Sequence, residues 1–141
     1  RTTSIFAEVE YDYTKKITFA TNIKFDNFSM TNQAKAWNLP TFQTSFVVKY
    51  KTNNWYATSN IFYINERKDL LYSAAYPSST NGLQTLSSFV DVNLNGGYHF
   101  NDTFSAFLKL NNALNNNYQR FANFDVQGFQ ALGGITYKFD F

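Results

Sequence analysis

The 141-residue sequence contains no cysteine, which removes both a disulfide framework and a thiolate metal site. It contains one histidine, His99, so a catalytic dyad or metal cage built on imidazole has no second member. No apolar run approaches the ~20 residues of a membrane-spanning helix. Net charge is only +2, too small to point to nucleic acid. There are two prolines and six glycines, and neither Gly96-Gly97 nor Gly133-Gly134 is followed by the helix start that a phosphate loop needs. The chain opens on Arg1-Thr2-Thr3-Ser4 with no initiator methionine or signal-peptide pattern, as expected of a processed chain or part of a longer one.

Aromatics make up 20% of residues, with 16 Phe and 10 Tyr, and they alternate with polar residues. The C-terminal stretch shows the pattern most plainly. Gly133, Ile135, Tyr137, Phe139 and Phe141 share one face, and Gly134, Thr136, Lys138 and Asp140 share the other. Period two is the signature of a strand with two differently solvated faces. The same alternation runs over Ser4–Tyr13, Ile17–Asp26, Thr41–Lys51, Trp55–Asn65, Leu86–Phe100 and Phe104–Leu114. Trp55–Asn65 is the least clean, with aromatics on both faces, and Asn112 breaks the apolar face of its segment.

The expected fold is therefore all-β, with about seven antiparallel strands. Short connections (Thr14–Lys16, Thr52–Asn54, 99–103) alternate with long ones (Asn27–Pro40, Glu66–Thr85, Asn115–Gly128). Strands near ten residues and this alternation match transmembrane β-barrels, which have tight periplasmic turns and longer extracellular loops. Residues 1–141 are expected to be a single β-barrel segment with no plug domain. Counting back from a periplasmic C-terminus puts Arg1 on the extracellular side, whereas complete single-chain barrels have an even strand number. An open sheet in lipid leaves edge groups unpaired. The expectation is the C-terminal part of a larger barrel, its other strands upstream or on another chain. The alternative is an eighth strand within Asn65–Gln84.

On this reading Glu8, Glu10, Lys24, Lys49, Asp91, Lys109 and Lys138 line a polar lumen. Along a strand, i and i+2 side chains lie ~7 Å apart, and nothing completes a ligand set around Glu8, Glu10 and Asp12. Folding the first hairpin about Lys15 brings Glu8 diagonally near Lys24, and folding about Asn101 brings Asp91 near Lys109, so ion pairs are expected at both places. Rings near the strand ends suggest two interfacial girdles. Tyr11, Tyr13, Trp55, Tyr98, Phe100, Phe104, Phe139 and Phe141 lie near one end, and Phe25, Phe28, Phe42 and Tyr63 near the other. In the long loops, Trp37, Tyr72, Tyr76, Tyr118, Arg120, Phe121 and Phe124 are candidates to stack on a sugar or partner surface, or to pack on neighbouring loops.

From Phe104 onward the chain resembles the C-terminus of TonB-dependent outer-membrane receptors. The resemblance rests on Leu110-Asn111-Asn112-Ala113-Leu114-Asn115-Asn116-Asn117-Tyr118, on Gln127-Gly128-Phe129, and on the terminal alternation. It implies residence in the bacterial outer membrane, contact with outer-membrane lipid, and recognition of Tyr137, Phe139 and Phe141 by the barrel-assembly machinery during biogenesis. It implies import of a scarce nutrient through a gated lumen, with no cofactor. Surface-exposed or periplasmic partner proteins are further candidates. The departures are the plug and the TonB-contacting segment, which this sequence does not show. Two other readings stand beside it: a structural or assembly barrel without transport, and a soluble sandwich or lipocalin-like binder. No enzymatic reading arises, because no nucleophile, base and orienting group are grouped.

Overall fold

Each alternating segment forms a strand. The computed structural model describes residues 1–31, 35–70 and 82–139. Seven strands make one sheet: β1 (Thr2–Thr14), β2 (Ile17–Phe28), β3 (Phe42–Lys51), β4 (Trp55–Ile64), β7 (Phe89–His99), β8 (Phe104–Asn111) and β11 (Gln130–Tyr137). Each pairs antiparallel with the next in that order, a simple meander. Two small hairpins occupy the long connections: β5 (Arg67–Leu70) with β6 (Leu83–Leu86), and β9 (Gln119–Phe121) with β10 (Phe124–Asp125). The tight turns lie at one end of the sheet and the long loops at the other.

The register carries each strand's alternation across the whole sheet. Val9 pairs with Thr21, Thr21 with Phe46, Phe46 with Ile61, and Ile61 with Val92. Further along, Gly96 meets Leu108, and Leu108 meets Gly133. One face is therefore apolar from β1 to β11 and the other polar. A one-residue error anywhere would invert a strand, so the common face is strongly specified.

The distribution of burial is inverted relative to a water-soluble sheet. The apolar face stays uncovered even on the inner strands, with Phe46 41% and Ile61 37% exposed. The buried strand residues Asp26, Phe89 and Asp91 lie on the polar face, two of them charged types. Rings on the apolar face form two rows. Phe25, Phe42 and Tyr63 are in contact at the loop end, with centroids 4.6 and 5.8 Å apart. Trp55, Tyr98, Phe100 and Phe104 run along the turn end, at 4.6, 4.9 and 4.9 Å.

Residues 65–84 contribute no eighth strand to the sheet among the described residues. β4 pairs directly with β7 from Trp55↔Tyr98 to Ile64↔Phe89, leaving no gap to fill. Leu86 belongs to β6, so the segment expected to begin there starts at Phe89. Asn112 is not an interruption of a strand. β8 ends at Asn111, and Asn112 takes a left-handed φ of 47°, which asparagine tolerates better than other non-glycine residues.

Both expected ion pairs are replaced. The first hairpin does fold about Lys15, with Glu8 opposite Asn22, but Lys24 Nζ pairs with Asp26 Oδ2 at 2.9 Å. The β7–β8 hairpin is offset by two residues from the expected register, with Asn95 opposite Lys109. Asp91 and Lys109 are thereby separated along the sheet. The turn explains the offset. Asn101 Oδ1 accepts from the Thr103 and Phe104 backbone N–H groups, so the loop centres one residue later than expected. In this register Phe107 lies opposite both Gly97 and Gly134. A Cβ built on Gly134 would sit 2.6 Å from the Phe107 ring, and one on Gly97 2.5 Å from the Tyr56 ring. The described glycines have no positive φ, so these two provide a floor for rings and not a special backbone shape.

Candidate functional site

The loop end of the sheet carries the densest polar chemistry among the described residues, and Arg67 at the start of β5 is its centre. The side chain is drawn almost wholly inside, at 5% exposure. Its Nε donates to Asn38 Oδ1 at 3.0 Å and its Nη2 to the Gln119 carbonyl at 2.7 Å. The guanidinium stands 5.4 Å from the Phe89 ring centroid. One side chain thus joins all three long connections and the top of β7. Burial pulls its pKa below the ordinary arginine value, opposed by the charge of Asp69. Asp69 also serves the cluster: its Oδ2 accepts the Ala122 backbone N–H at 2.7 Å. Trp37 and Asn38 dock beside the same hairpin, through a Trp37↔Lys68 bridge and an Asn38 N–H bond to the Lys68 carbonyl.

The third loop folds back over the polar face. Tyr118 stacks on Phe89 with centroids 3.7 Å apart, and its Oη donates to Asp91 Oδ2 at 2.8 Å. Asn112, also buried, accepts from Asn116 N–H and donates to the carbonyls of Asn116 and Gln127. Asn116 Nδ2 in turn reaches the Val90 carbonyl at 2.8 Å. These bonds span sequence separations that no strand pairing sets, so the loop is held by its own amide side chains.

Under the folded loop lies a recess of ≈ 500 Å³, bordered by Phe62, Asp91, Asn93, Arg120, Phe124 and Gln127. Asp91 Oδ1, at its edge, is buried and has no hydrogen-bond partner among the described residues. On the other side of Tyr118 a second recess of ≈ 590 Å³ is rimmed by Gln84, Ser87, Ser88, Asn116, Asn117 and Gln119. Such a lining offers amide and hydroxyl donors and acceptors to a polar ligand. No group of three or more His, Asp or Glu side chains placed to hold a metal occurs among the described residues.

Burial pushes the Tyr118 pKa up to about 12, with the hydrogen bond to Asp91 acting in the same direction. A pKa raised above the ordinary value of 10 stabilises the docked loop fully below pH 10. That stabilisation is lost as pH rises toward 12. Absorbance titration should show one phenol ionising late in the native protein, and Tyr118→Phe should remove that late step alone. A late step persisting in the variant would detach the shift from Tyr118.

The residues expected to line the lumen share the polar face by register, although their environments differ. Glu10 meets Lys49 at 3.0 Å across β1–β3, with both side chains half exposed, a pair worth little. Glu8 lies on the same exposed strand. Lys109 leans over the Phe107 ring at 5.9 Å. The Lys138 N–H continues the β8 ladder by donating to the Thr103 carbonyl. Asp91 is not on an open wall but under the third loop. Of the loop candidates, Arg120, Phe121 and Phe124 border the first recess, and Tyr118 packs on Phe89 in place of projecting outward. Tyr72 and Tyr76 lie outside the described residues, as does Phe141. Tyr137 and Phe139 are exposed on the apolar face, their rings 4.9 Å apart.

Sequence reasoning did not single out Arg67, Asn38, Phe89 or Asn116. Glu66-Arg67-Lys68-Asp69 lies inside the second long connection. The usable signal was the presence of both charge signs within a loop, because solvent alone does not require such pairing.

No protein-family model matches the sequence, and a search of curated proteins returns no match. Solved structures do match. The siderophore receptor PiuA from Acinetobacter baumannii aligns over 98% of this chain and 22% of its own, with TM-score 0.77 and 13% identity. The ferripyoverdine receptor of the outer membrane of Pseudomonas aeruginosa aligns over 96% and 19%, with TM-score 0.78 and 14% identity. A mutant of the ferric enterobactin receptor PfeA from Pseudomonas aeruginosa aligns over 94% and 21%, with TM-score 0.72 and 10% identity. The chain thus spans about a fifth of the length of each receptor. The likeness extends over nearly the whole chain, and the fold is that of a seven-stranded section of these receptors.

Proposed function

We propose that this chain is the C-terminal wall of an outer-membrane barrel that imports a scarce nutrient, with the bare apolar face toward lipid and the polar face toward the lumen. The observation that carries this reading is the inverted burial. Seven strands leave one continuous apolar face uncovered, while a loop packs against the opposite, polar face. In water such exposure is an aggregation hazard, whereas in a bilayer it is what a barrel wall presents. The two rows of rings then fall at the two headgroup levels. The long loops face outward from the cell, and the Arg67 cluster holds them over the lumen mouth. Tyr137, Phe139 and Phe141 act as the signal for the assembly machinery.

The structural neighbours are receptors for ferric siderophores, so an iron chelate is the first nutrient class to try. The test compares iron-limited cells with and without the intact barrel containing this segment. Expected is uptake of at least one labelled ferric chelate that requires the protein, weakened when Arg120 and Phe124 at the recess are both replaced by alanine. Equal uptake of every chelate by the two strains would overturn iron import. Recovery of the protein in buffer without detergent would overturn the membrane wall itself.

A further inference from the structure

The apolar face is not uniform. At its turn end it carries a groove of ≈ 590 Å³ beside Gly96, with Trp55 and Tyr98 at the mouth and Val48, Leu94 and Leu108 along its walls. Gly96 sits between Ala57 and Leu108 in the ladder. The nearest atoms to a Cβ there would be the Tyr56 carbonyl oxygen at 3.4 Å, Ala57 Cβ at 3.9 Å and Ala57 Cα at 4.0 Å, ordinary contacts, so a side chain would fit. The missing side chain is what leaves the floor low.

The mouth of this groove adjoins a basic hollow. Trp55 and Tyr98 also border a concavity formed by Lys15, Lys16, Lys51, Asn53 and Asn54. The Lys51 N–H donates to the Lys16 carbonyl at 2.8 Å, which holds two of the three lysine backbones together. None of these lysines forms an ion pair among the described residues. Two nearby carboxylates are engaged elsewhere, Glu10 with Lys49 and Asp12 with the Thr18 hydroxyl at 2.6 Å. Among the described residues the third acid at this end, Asp102, belongs to a different turn, between β7 and β8.

An apolar groove, an aromatic mouth and three lysines without an ion pair among the described residues follow one another from mid-strand to the turns. That order matches a phospholipid from chain to interface to phosphate. Resting on the barrel reading above, we propose that this site holds one anionic phospholipid of the periplasmic leaflet. One acyl chain lies along Gly96, the glycerol region lies at Trp55 and Tyr98, and the phosphate lies in the hollow past the strand ends. The turn lysines Lys15 and Lys16 border that hollow, as does Lys51, which starts opposite Tyr56 on the polar face at the last rung and borders the hollow from the strand end. A zwitterionic headgroup brings its own ammonium into the lysine hollow and gains less. Outer-leaflet lipid lies at the opposite end of the strands.

The test uses the intact barrel containing this segment, purified in detergent and exposed to mixed micelles of phosphatidylglycerol and phosphatidylethanolamine, with bound lipid counted by native mass spectrometry. Phosphatidylglycerol should be retained preferentially. Lys15→Gln, Lys16→Gln and Lys51→Gln together should lower that preference on the order of 100-fold. These positions are in or beside turns, so the fold is untouched. Gly96→Leu, which fills the groove, should reduce retention of both lipids. Equal retention of the two lipids by the unmodified protein, or an unchanged preference in the triple variant, overturns the site. So does displacement of phosphatidylglycerol by lipopolysaccharide at equal concentration. These results leave the barrel reading intact, whereas recovery without detergent removes both.

Discussion

Replacing Arg67 with alanine should release all three long loops together while leaving the sheet in place. The side chain makes two charge-assisted hydrogen bonds and one ring contact, each to a different part of the chain. Such hydrogen bonds are worth about 1.5–3 kcal/mol each, and truncation also leaves the half-buried Asn38 and Gln119 acceptors without their donor. A loss of roughly 3–4 kcal/mol in loop docking follows. Hydrogen exchange is the direct measurement, because it separates local from global opening. Amides around Asn38, Gln119 and Ala122 should exchange roughly 100-fold faster or more, with β2, β3 and β4 unchanged. Arg67→Lys should recover only part, since an ammonium lacks the planar fork that reaches two acceptors at once. Uniform acceleration across strands and loops would show that Arg67 supports the whole fold and not the loop cluster.

The second large effect separates the two faces of one strand. Asn60 and Ile61 are neighbours in β4, on opposite faces by register. Lysine at Ile61 puts a charge on the apolar face near mid-strand, where the cost in a bilayer is about 2–4 kcal/mol. Lysine at Asn60 puts the same charge on the polar face, beside Val47 and Asn93, and should cost near zero. Denaturant titration of the intact barrel refolded into vesicles measures the difference. Similar costs at the two positions would mean that the apolar face is not against lipid. A larger cost at Asn60 would mean that the faces are reversed.

The sheet was legible because period two is a local signal that repeats. Ser4–Tyr13 and Ile17–Asp26 each carry enough alternation to fix a face, and the structure only lengthens them to Thr2–Thr14 and Ile17–Phe28. The order of strands also followed, since tight turns force neighbours to pair. What alternation cannot fix is the pairing of residues an even number apart, which explains the misplaced Asp91–Lys109 pair. The Asn101 side-chain bonds that centre that turn are not periodic. The loop cluster was illegible for a different reason. Arg67 meets Gln119 across 52 residues, and Tyr118 meets Asp91 across 27, through single hydrogen bonds that leave no pattern in the sequence. As site candidates Trp37 and Tyr118 stood out as aromatics in loops, a property compatible with either projecting or packing.

The rings laid over Gly97 and Gly134 act as a key for assembly. Sliding one strand past its neighbour by two residues keeps every apolar side chain on the apolar face, so burial alone hardly penalises it. Such a slide would carry Tyr56 from Gly97 onto Asn95 or His99, and Phe107 from Gly134 onto Leu132 or Thr136. Each of those residues has a Cβ that would make the ring move aside. The β4–β7 and β8–β11 pairs are therefore biased toward one alignment out of a ladder of otherwise similar ones, and the bias comes from an absence of atoms.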